Sequence, residues 1–207
     1  MPRGMRASGS PSGRPRSGSS PSETSASDPE ARARQICLRL LTAAPRTRAE
    51  LAAALSRRGV PSEAAEAVLG RFTDVGLIDD AAFARAWVES RHYSRGLSRR
   101  SLSAELRQHG VDAEEIREAV STLDLEQEVA TARRLVEQKM ASTGGQPPEA
   151  RIRRAAGTLA RKGYPPGLVF RLIKEVLEQE GSTEAIGFEL DADQYLDPDG
   201  DPDEAVR

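Results

Sequence analysis

Residues able to hold a metal ion or catalyse a reaction are scarce in this sequence. It contains two histidines, His92 and His109, and one cysteine, Cys37, too few soft ligands for a zinc cluster. It has neither a phosphate-binding GxxxxGKS/T loop nor a glycine fingerprint after a strand. Asp79 and Asp80 stand directly before an apolar helix, where carboxylates cap free amide groups. We therefore predict a protein that is not an enzyme and needs no cofactor.

The sequence is rich in arginine, a residue that binds anions. Of its 30 basic residues only three are lysines. The first cluster comprises Arg91, Arg95, Arg99, Arg100 and Arg107. The second comprises Arg151, Arg154 and Lys162, with Arg153 and Arg161 beside them. No acidic residue lies between Glu89 and Glu105. Because guanidinium groups pair with phosphates and carboxylates, we predict that both clusters bind a partner or DNA; the alternative is solvated helix faces.

The net charge of −2 hides an uneven distribution along the chain. Residues 1–35 carry six arginines and three acids, and residues 36–180 carry 23 basic and 20 acidic residues, a net charge of +3 in each case. Residues 181–207 carry one arginine and nine acids, a net charge of −8. We predict that the Ser-, Pro-, Gly- and Arg-rich residues 1–30 and the acidic residues 181–207 are disordered. An acidic tail of this kind keeps a protein in solution or competes with nucleic acid for a basic surface.

Short amphipathic helices account for nearly all of the sequence between these two segments. Thr47 and Glu50 form a capping box, Leu51 and Leu55 follow at helical spacing, and Gly59 marks a stop. No segment alternates between polar and apolar residues as a strand does. The predicted fold class is all-α.

An internal repeat organises these helices. The pattern Leu51-x3-Leu55-x3-Gly59 returns 51 residues later as Leu102-x3-Leu106-x3-Gly110 and 53 residues after that as Ala155-x3-Leu159-x3-Gly163. Each copy has one helix before it and one after it, which gives three-helix repeats at 31–78, 79–123 and 124–180, the last with a loop near 143–148. Tandem repeats stack on their neighbours. We predict an elongated, curved body in which the repeats share a core.

The middle repeat carries a distinctive run of residues. It reads Gly76-Leu77-Ile78-Asp79-Asp80, Phe83-Ala84, Trp87-Val88 and Arg91, then Gly96 and Leu102-x-x-Glu105-Leu106-x3-Gly110-Val111. This run closely resembles the RecX family, bacterial regulators of the RecA recombinase that are built from tandem three-helix repeats. The resemblance extends over residues 33–178. It departs from the family pattern at residues 163–166, Gly-Tyr-Pro-Pro, where a Gly-Val/Ile-acid turn is usual.

The resemblance implies a partner and a mode of action. Family members lie along the groove of the RecA–DNA filament and suppress strand exchange, ATP hydrolysis and coprotease activity. Many also bind DNA weakly without sequence preference. The resemblance therefore implies a regulator of homologous recombination, DNA repair and the SOS response. We expect a cytoplasmic monomer with no membrane attachment, because no run of 18 apolar residues is present.

The residues themselves suggest two alternatives, one for the function of the protein and one for the role of Trp87. A non-specific nucleic-acid-binding helical repeat protein is the other function considered. Such a protein is expected to be markedly basic, and the charge of only +3 over residues 36–180 favours the RecA regulator. Trp87 could stack on a base, but its spacing of four residues from Phe83 predicts packing in the core.

Overall fold

A computed structural model describes residues 28–181 of the chain. The segments predicted to be disordered, 1–30 and 181–207, lie outside the described residues except at their inner ends. The described range folds into helices with no strand: α1 (Pro29–Ala43), α2 (Arg48–Ser56), α3 (Ser62–Asp74), α4 (Asp80–Arg95), α5 (Arg99–Gln108), α6 (Ala113–Ser121), α7 (Leu125–Ser142), α8 (Pro148–Arg161) and α9 (Pro166–Gln179). The all-α prediction is confirmed. None of these helices is both long enough and apolar enough to span a membrane.

The helices begin where local capping chemistry places them. Glu50 N–H donates to Thr47 Oγ1 at 3.1 Å and Thr47 N–H donates to Glu50 Oε2 at 3.3 Å, which confirms the capping box. Asp79 accepts from Ala82 N–H at 2.7 Å and caps α4 as predicted. The first helix begins at Pro29, two residues before the predicted start of repeat one.

Each repeat has its own hydrophobic core. Leu51, Leu55 and Leu69 lie at the centre of the first, and Leu102 and Leu106 at the centre of the second. The third is built around residues 132–177 of α7, α8 and α9. Helices pack along their lengths only against helices of the same repeat. The prediction of a shared core is therefore wrong, because each repeat buries its own set of apolar residues and the repeats meet at helix ends, through hydrogen bonds and close contacts at glycines.

The second helices of neighbouring repeats meet end to end. At the joint between repeats one and two, Thr47 Oγ1 at the start of α2 donates to His109 O at the end of α5, at 2.6 Å. At the joint between repeats two and three, Ser98 N–H at the start of α5 donates to Lys162 O at the end of α8, at 3.0 Å. The negative end of one helix dipole thus faces the positive end of the next, which stabilises both joints.

A carboxylate from the following repeat reinforces each joint. Asp80 accepts from the first amide of α2, Arg48 N–H, at 2.9 Å. Glu128 accepts from the first amide of α5, Arg99 N–H, at 2.8 Å. Asp80 was expected to cap its own helix, but it caps α2 of the preceding repeat. Burial raises the pKa of Asp80, since the carboxylate is partly removed from water to make this contact.

Glycine is required where the joints close. Gly110 (φ +75°) and Gly163 (φ +81°) follow the ends of α5 and α8. A Cβ at Gly110 would lie 2.4 Å from Ala49 Cβ, and one at Gly163 would lie 2.1 Å from Ser101 Oγ. The equivalent Gly59 has the same left-handed backbone but no neighbour within 4 Å. The close contact therefore belongs to the joint and not to the turn.

The two outer helix ends that correspond to the joints differ from the ends that form them. Arg58 O, which corresponds to the joint carbonyls of the other two repeats, accepts from Arg32 Nη2 within repeat one at 2.8 Å. At the other end α8 starts after Pro147, which offers neither a hydroxyl nor an amide proton to a further helix end. Terminal repeats commonly carry such departures from the repeat pattern.

Candidate anion-binding surface

The turn between α4 and α5 presents arginines on both of its sides. Arg95 ends α4, and Arg99 and Arg100 begin α5. Gly96 makes the turn with a φ of +61°, and its carbonyl accepts from the buried Tyr164 Oη at 3.1 Å. Repeat three therefore fixes the backbone on which these arginines are displayed.

Lys162 of repeat three joins this group across the joint. Its Nζ donates to Arg95 O. The pKa of Lys162 is lowered by burial first and then by the positive charges of Arg95 and Arg161. The structure thus brings members of the two predicted clusters together. We call the surface formed by Arg95, Arg99, Arg100, Arg107 and Lys162 the arginine surface.

Most of the guanidinium groups on this surface have no counter-charge. Arg95 is the exception, because its Nη1 lies 3.4 Å from Glu105 Oε1. The expectation of no acidic partner near Arg95 is wrong, since α5 folds back along α4. Among residues 28–181, no carboxylate oxygen lies within 4 Å of the guanidinium nitrogens of Arg99, Arg100 or Arg107. These three side chains are the cations that a bound anion would neutralise.

Two arginines at the start of a helix are an electrostatic cost to the fold. The first turn of α5 contains Arg99 and Arg100 and no acidic residue. Cations at a helix N-terminus oppose the helix dipole by about 0.3–1 kcal/mol each. The amides at this end of α5 are already bound by Lys162 O and the Glu128 carboxylate, so a further anion would be attracted by the guanidinium groups, which suit phosphate or carboxylate.

Arg91 lies beside the arginine surface but is already engaged. Its guanidinium carbon sits 4.2 Å from the centre of the Trp87 ring, a cation–π contact. Trp87 stacks on Phe83 at 5.5 Å, and its Nε1 donates to Glu105 at 2.8 Å. Trp87 is only partly buried at the edge of the second core, so the prediction of core packing holds for one side of the ring.

Three models of the RecX family match the chain in order. They are described as the first, second and third three-helix domains of RecX and cover residues 33–72, 79–120 and 126–173. The chain belongs to the RecX family. The resemblance drawn from the sequence is thereby confirmed.

Curated relatives and solved structures agree with this assignment. "Regulatory protein RecX" of Thermobifida fusca is 61% identical over 151 residues, which is 73% of this chain and 82% of the relative. "Regulatory protein RecX" of Streptomyces coelicolor is 58% identical over 163 residues, or 78% and 87% of the two chains. A crystal structure of regulatory protein RecX aligns with a TM-score of 0.62 at 25% identity over 72% of each chain. RecX from Lactobacillus salivarius aligns with a TM-score of 0.64 at 18% identity, over 72% of this chain and 96% of the other.

Within this RecX fold, the predicted residues of repeat three do not all reach the arginine surface. The Arg151 side chain is buried, pairs with Glu180 at 2.8 Å and donates to Met140 O at 3.2 Å. It holds the ends of α7 and α9 together and is not available to a partner. Arg154 is half-buried and donates to Gln146. Of Arg151, Arg154 and Lys162, only Lys162 contacts repeat two.

Sequence reasoning missed the residues that position the surface. Glu128 and Tyr164 hold the backbone of Arg99 and Gly96, yet neither had been assigned a role. A signal for Glu128 exists, since it occupies the apolar row that continues through residues 132 and 136 of α7. A charged residue in such a row is expected to be buried and hydrogen-bonded.

Proposed function

We propose that this RecX-family protein binds the RecA–DNA filament and modulates, mainly by inhibition, its recombinase, ATPase and coprotease activities. The observation that carries this proposal is the arginine surface, which spans the joint between repeats two and three and is largely without counter-charges. The proposal takes the protein to be a monomer in the cytoplasm, acting in recombination, DNA repair and the SOS response.

The chemistry of a recombinase filament suits such a surface. Its groove offers DNA phosphates and acidic protein side chains, both of which planar guanidinium groups bind through paired hydrogen bonds. Because two repeats contribute cations, one molecule can contact anions on adjacent parts of the filament. Binding of this kind inhibits by occupying the groove and needs no catalytic group.

The test is a double charge reversal on α5. Arg100→Glu with Arg107→Glu changes two exposed side chains without ion-pair partners among residues 28–181. They lie at opposite ends of the helix, so the dipole effects on stability offset each other. We expect this variant to lose its inhibition of DNA-dependent ATP hydrolysis by RecA while melting like the wild type.

The matched control is Arg39→Glu with Arg57→Glu in repeat one, an equal change in charge at exposed positions. This control should inhibit RecA like the wild type. An equal loss in both variants would mean that bulk charge alone matters. Unchanged inhibition by the Arg100/Arg107 variant would remove the arginine surface from the binding site.

Non-specific binding to nucleic acid is the second candidate, since the same unpaired arginines suit the phosphates of naked DNA. A salt titration separates the two functions. Binding through phosphates alone weakens steeply with salt, in proportion to the number of contacts. We expect affinity for RecA-coated DNA to exceed that for naked DNA and to fall less steeply as salt rises.

A further inference from the structure

An apolar face of α7 is left uncovered at the start of repeat three. A cleft of about 440 Å³ runs along it, lined by Leu125, Glu126, Val129, Ala130, Arg133, Arg134 and Glu137. Leu125 is 60% exposed, more than any other leucine of residues 28–181. Leu125 and Val129 are one helical turn apart and form a continuous ridge. We call this cleft the α7 groove.

We propose that residues 186–190 of this same chain, Ile-Gly-Phe-Glu-Leu, bind the α7 groove, and that the acidic residues after them cover the arginine surface. These residues bring three large apolar side chains into a segment that is otherwise mostly acidic and polar. They follow the last described residue after four intervening residues, which makes them the apolar segment nearest to repeat three along the sequence on its C-terminal side.

The length of the chain permits this contact. Glu180 pairs with Arg151, and Arg151 donates to Met140 O, so the chain leaves repeat three beside the C-terminal end of α7. Helical rise places Leu125 about 22 Å from Met140 along α7. The ten residues from 181 to 190 are joined by nine Cα–Cα steps and reach up to about 30 Å, which is enough to follow the groove to its far end.

The charges of the groove favour the same occupant at its centre. Arg134 is exposed, and no carboxylate of residues 28–181 lies within 4 Å of it. The proposed segment carries Glu189, with Asp191 shortly after it. Glu126 and Glu137 at the two ends of the groove oppose an acidic ligand, so the apolar side chains must supply most of the attachment.

The position of the α7 groove links the docking of residues 186–190 to the arginine surface. Glu128, in the same turn of α7 as Leu125, accepts from Arg99 N–H at 2.8 Å. The groove therefore ends beside the first turn of α5. A segment bound along it would deliver residues 197–203, which contain four aspartates, to Arg99 and Arg100. Those aspartates would then compete with an anionic partner, a consequence that rests on the proposed function.

Disulfide formation in the full-length chain tests the docking without RecA or DNA. Gly187→Cys is combined with Ala130→Cys in the groove or, as the control, with Ala43→Cys at the exposed end of α1. The native Cys37 is buried, and burial raises the pKa of its thiol, so it reacts slowly. We expect the Ala130 pair to close about tenfold faster than the control, because docking raises the effective concentration. Adding Phe188→Ser should return the rate to that of the control.

Equal rates for the two pairs would overturn the docking. Cross-linked dimers in place of cross-linked monomers would mean that the α7 groove binds a second copy of the chain. That result would also overturn the docking of residues 186–190 within one chain. The consequence is measured separately, by binding of the full-length chain to oligodeoxythymidine. Phe188→Ser with Leu190→Ser should tighten this binding several-fold. Unchanged affinity in a chain that loses the cross-link would refute the covering of the arginine surface.

Discussion

Replacing Gly110 by alanine tests whether repeats one and two meet as closely as the structure indicates. Gly110 has a φ of +75°, and its added Cβ would lie 2.4 Å from Ala49 Cβ. The left-handed backbone costs an L-residue roughly 1–2 kcal/mol. Carbon atoms in ordinary contact are about 3.5–4 Å apart, so the joint must open, and such overpacking costs about 1–3 kcal/mol more. We expect Gly110→Ala to lower the free energy of unfolding by about 2–5 kcal/mol.

Gly59→Ala is the matched control for this experiment. Gly59 has a φ of +69° but nothing within 4 Å of an added Cβ, so its substitution should cost only the roughly 1–2 kcal/mol of the backbone. Urea unfolding followed by circular dichroism measures both losses. Ala49→Gly should partly rescue Gly110→Ala, although glycine within a helix itself costs about 1 kcal/mol.

Two results would refute this reasoning about the joint. The first is an equal loss of stability for Gly59→Ala and Gly110→Ala, which would mean that the backbone conformation alone sets the cost. The second is a loss in Gly110→Ala that Ala49→Gly does not relieve, which would place the clash elsewhere.

The remaining predictions concern the joint of repeats two and three and the shape of the molecule. Tyr164→Phe removes the bond to Gly96 O and should cost about 1 kcal/mol in urea unfolding. Burial raises the pKa of Tyr164, so the wild type should lose stability above about pH 10, where only the unfolded chain ionises, and Tyr164→Phe should lose less. Trp87→Phe removes the bond to Glu105 and should cost about 1–3 kcal/mol, measured the same way. Scattering from a fragment of residues 28–181 should give a radius of gyration well above roughly 15 Å, and a value near 15 Å would contradict the elongated shape.

The helices and their grouping could be predicted because local spacing determines them. The capping box of Thr47 and Glu50 and the glycine that follows each second helix act within a few residues. The joints could not be predicted in this way. Tyr164 and Gly96 are 68 residues apart along the chain, and no local pattern states which helix ends will meet.

The candidate site was predicted less well, because position along the chain does not give orientation. Glu105 follows Arg95 by ten residues, yet the turn at Gly96 returns it to Arg95. Arg151 was placed with exposed arginines although it belongs to a buried row with Ala155 and Leu159. Positions 151, 155 and 159 follow one another at intervals of four residues and therefore lie on the same face of α8. Because the repeat pattern places Ala155 and Leu159 in the core, it also predicts that Arg151 faces the core.

The two joints share their backbone geometry and differ in how the nearby cations are paired with carboxylates. At the joint of repeats one and two, Arg46 and His109 contact Glu50, and Arg48 contacts Glu66. Arg57 and Arg58 line the cleft at this joint and have no carboxylate partner among residues 28–181. The contact between His109 and Glu50, at 2.9 Å, helps to hold repeats one and two together.

At the joint of repeats two and three, Arg95 pairs with Glu105, but several neighbouring cations have no acidic partner among the described residues. The guanidinium groups of Arg99, Arg100 and Arg161 have no carboxylate oxygen within 4 Å among residues 28–181, and the Lys162 ammonium group donates to a backbone carbonyl, Arg95 O. These side chains make no ion pair that would stabilise the fold of residues 28–181, which supports the proposal that they bind an anionic partner.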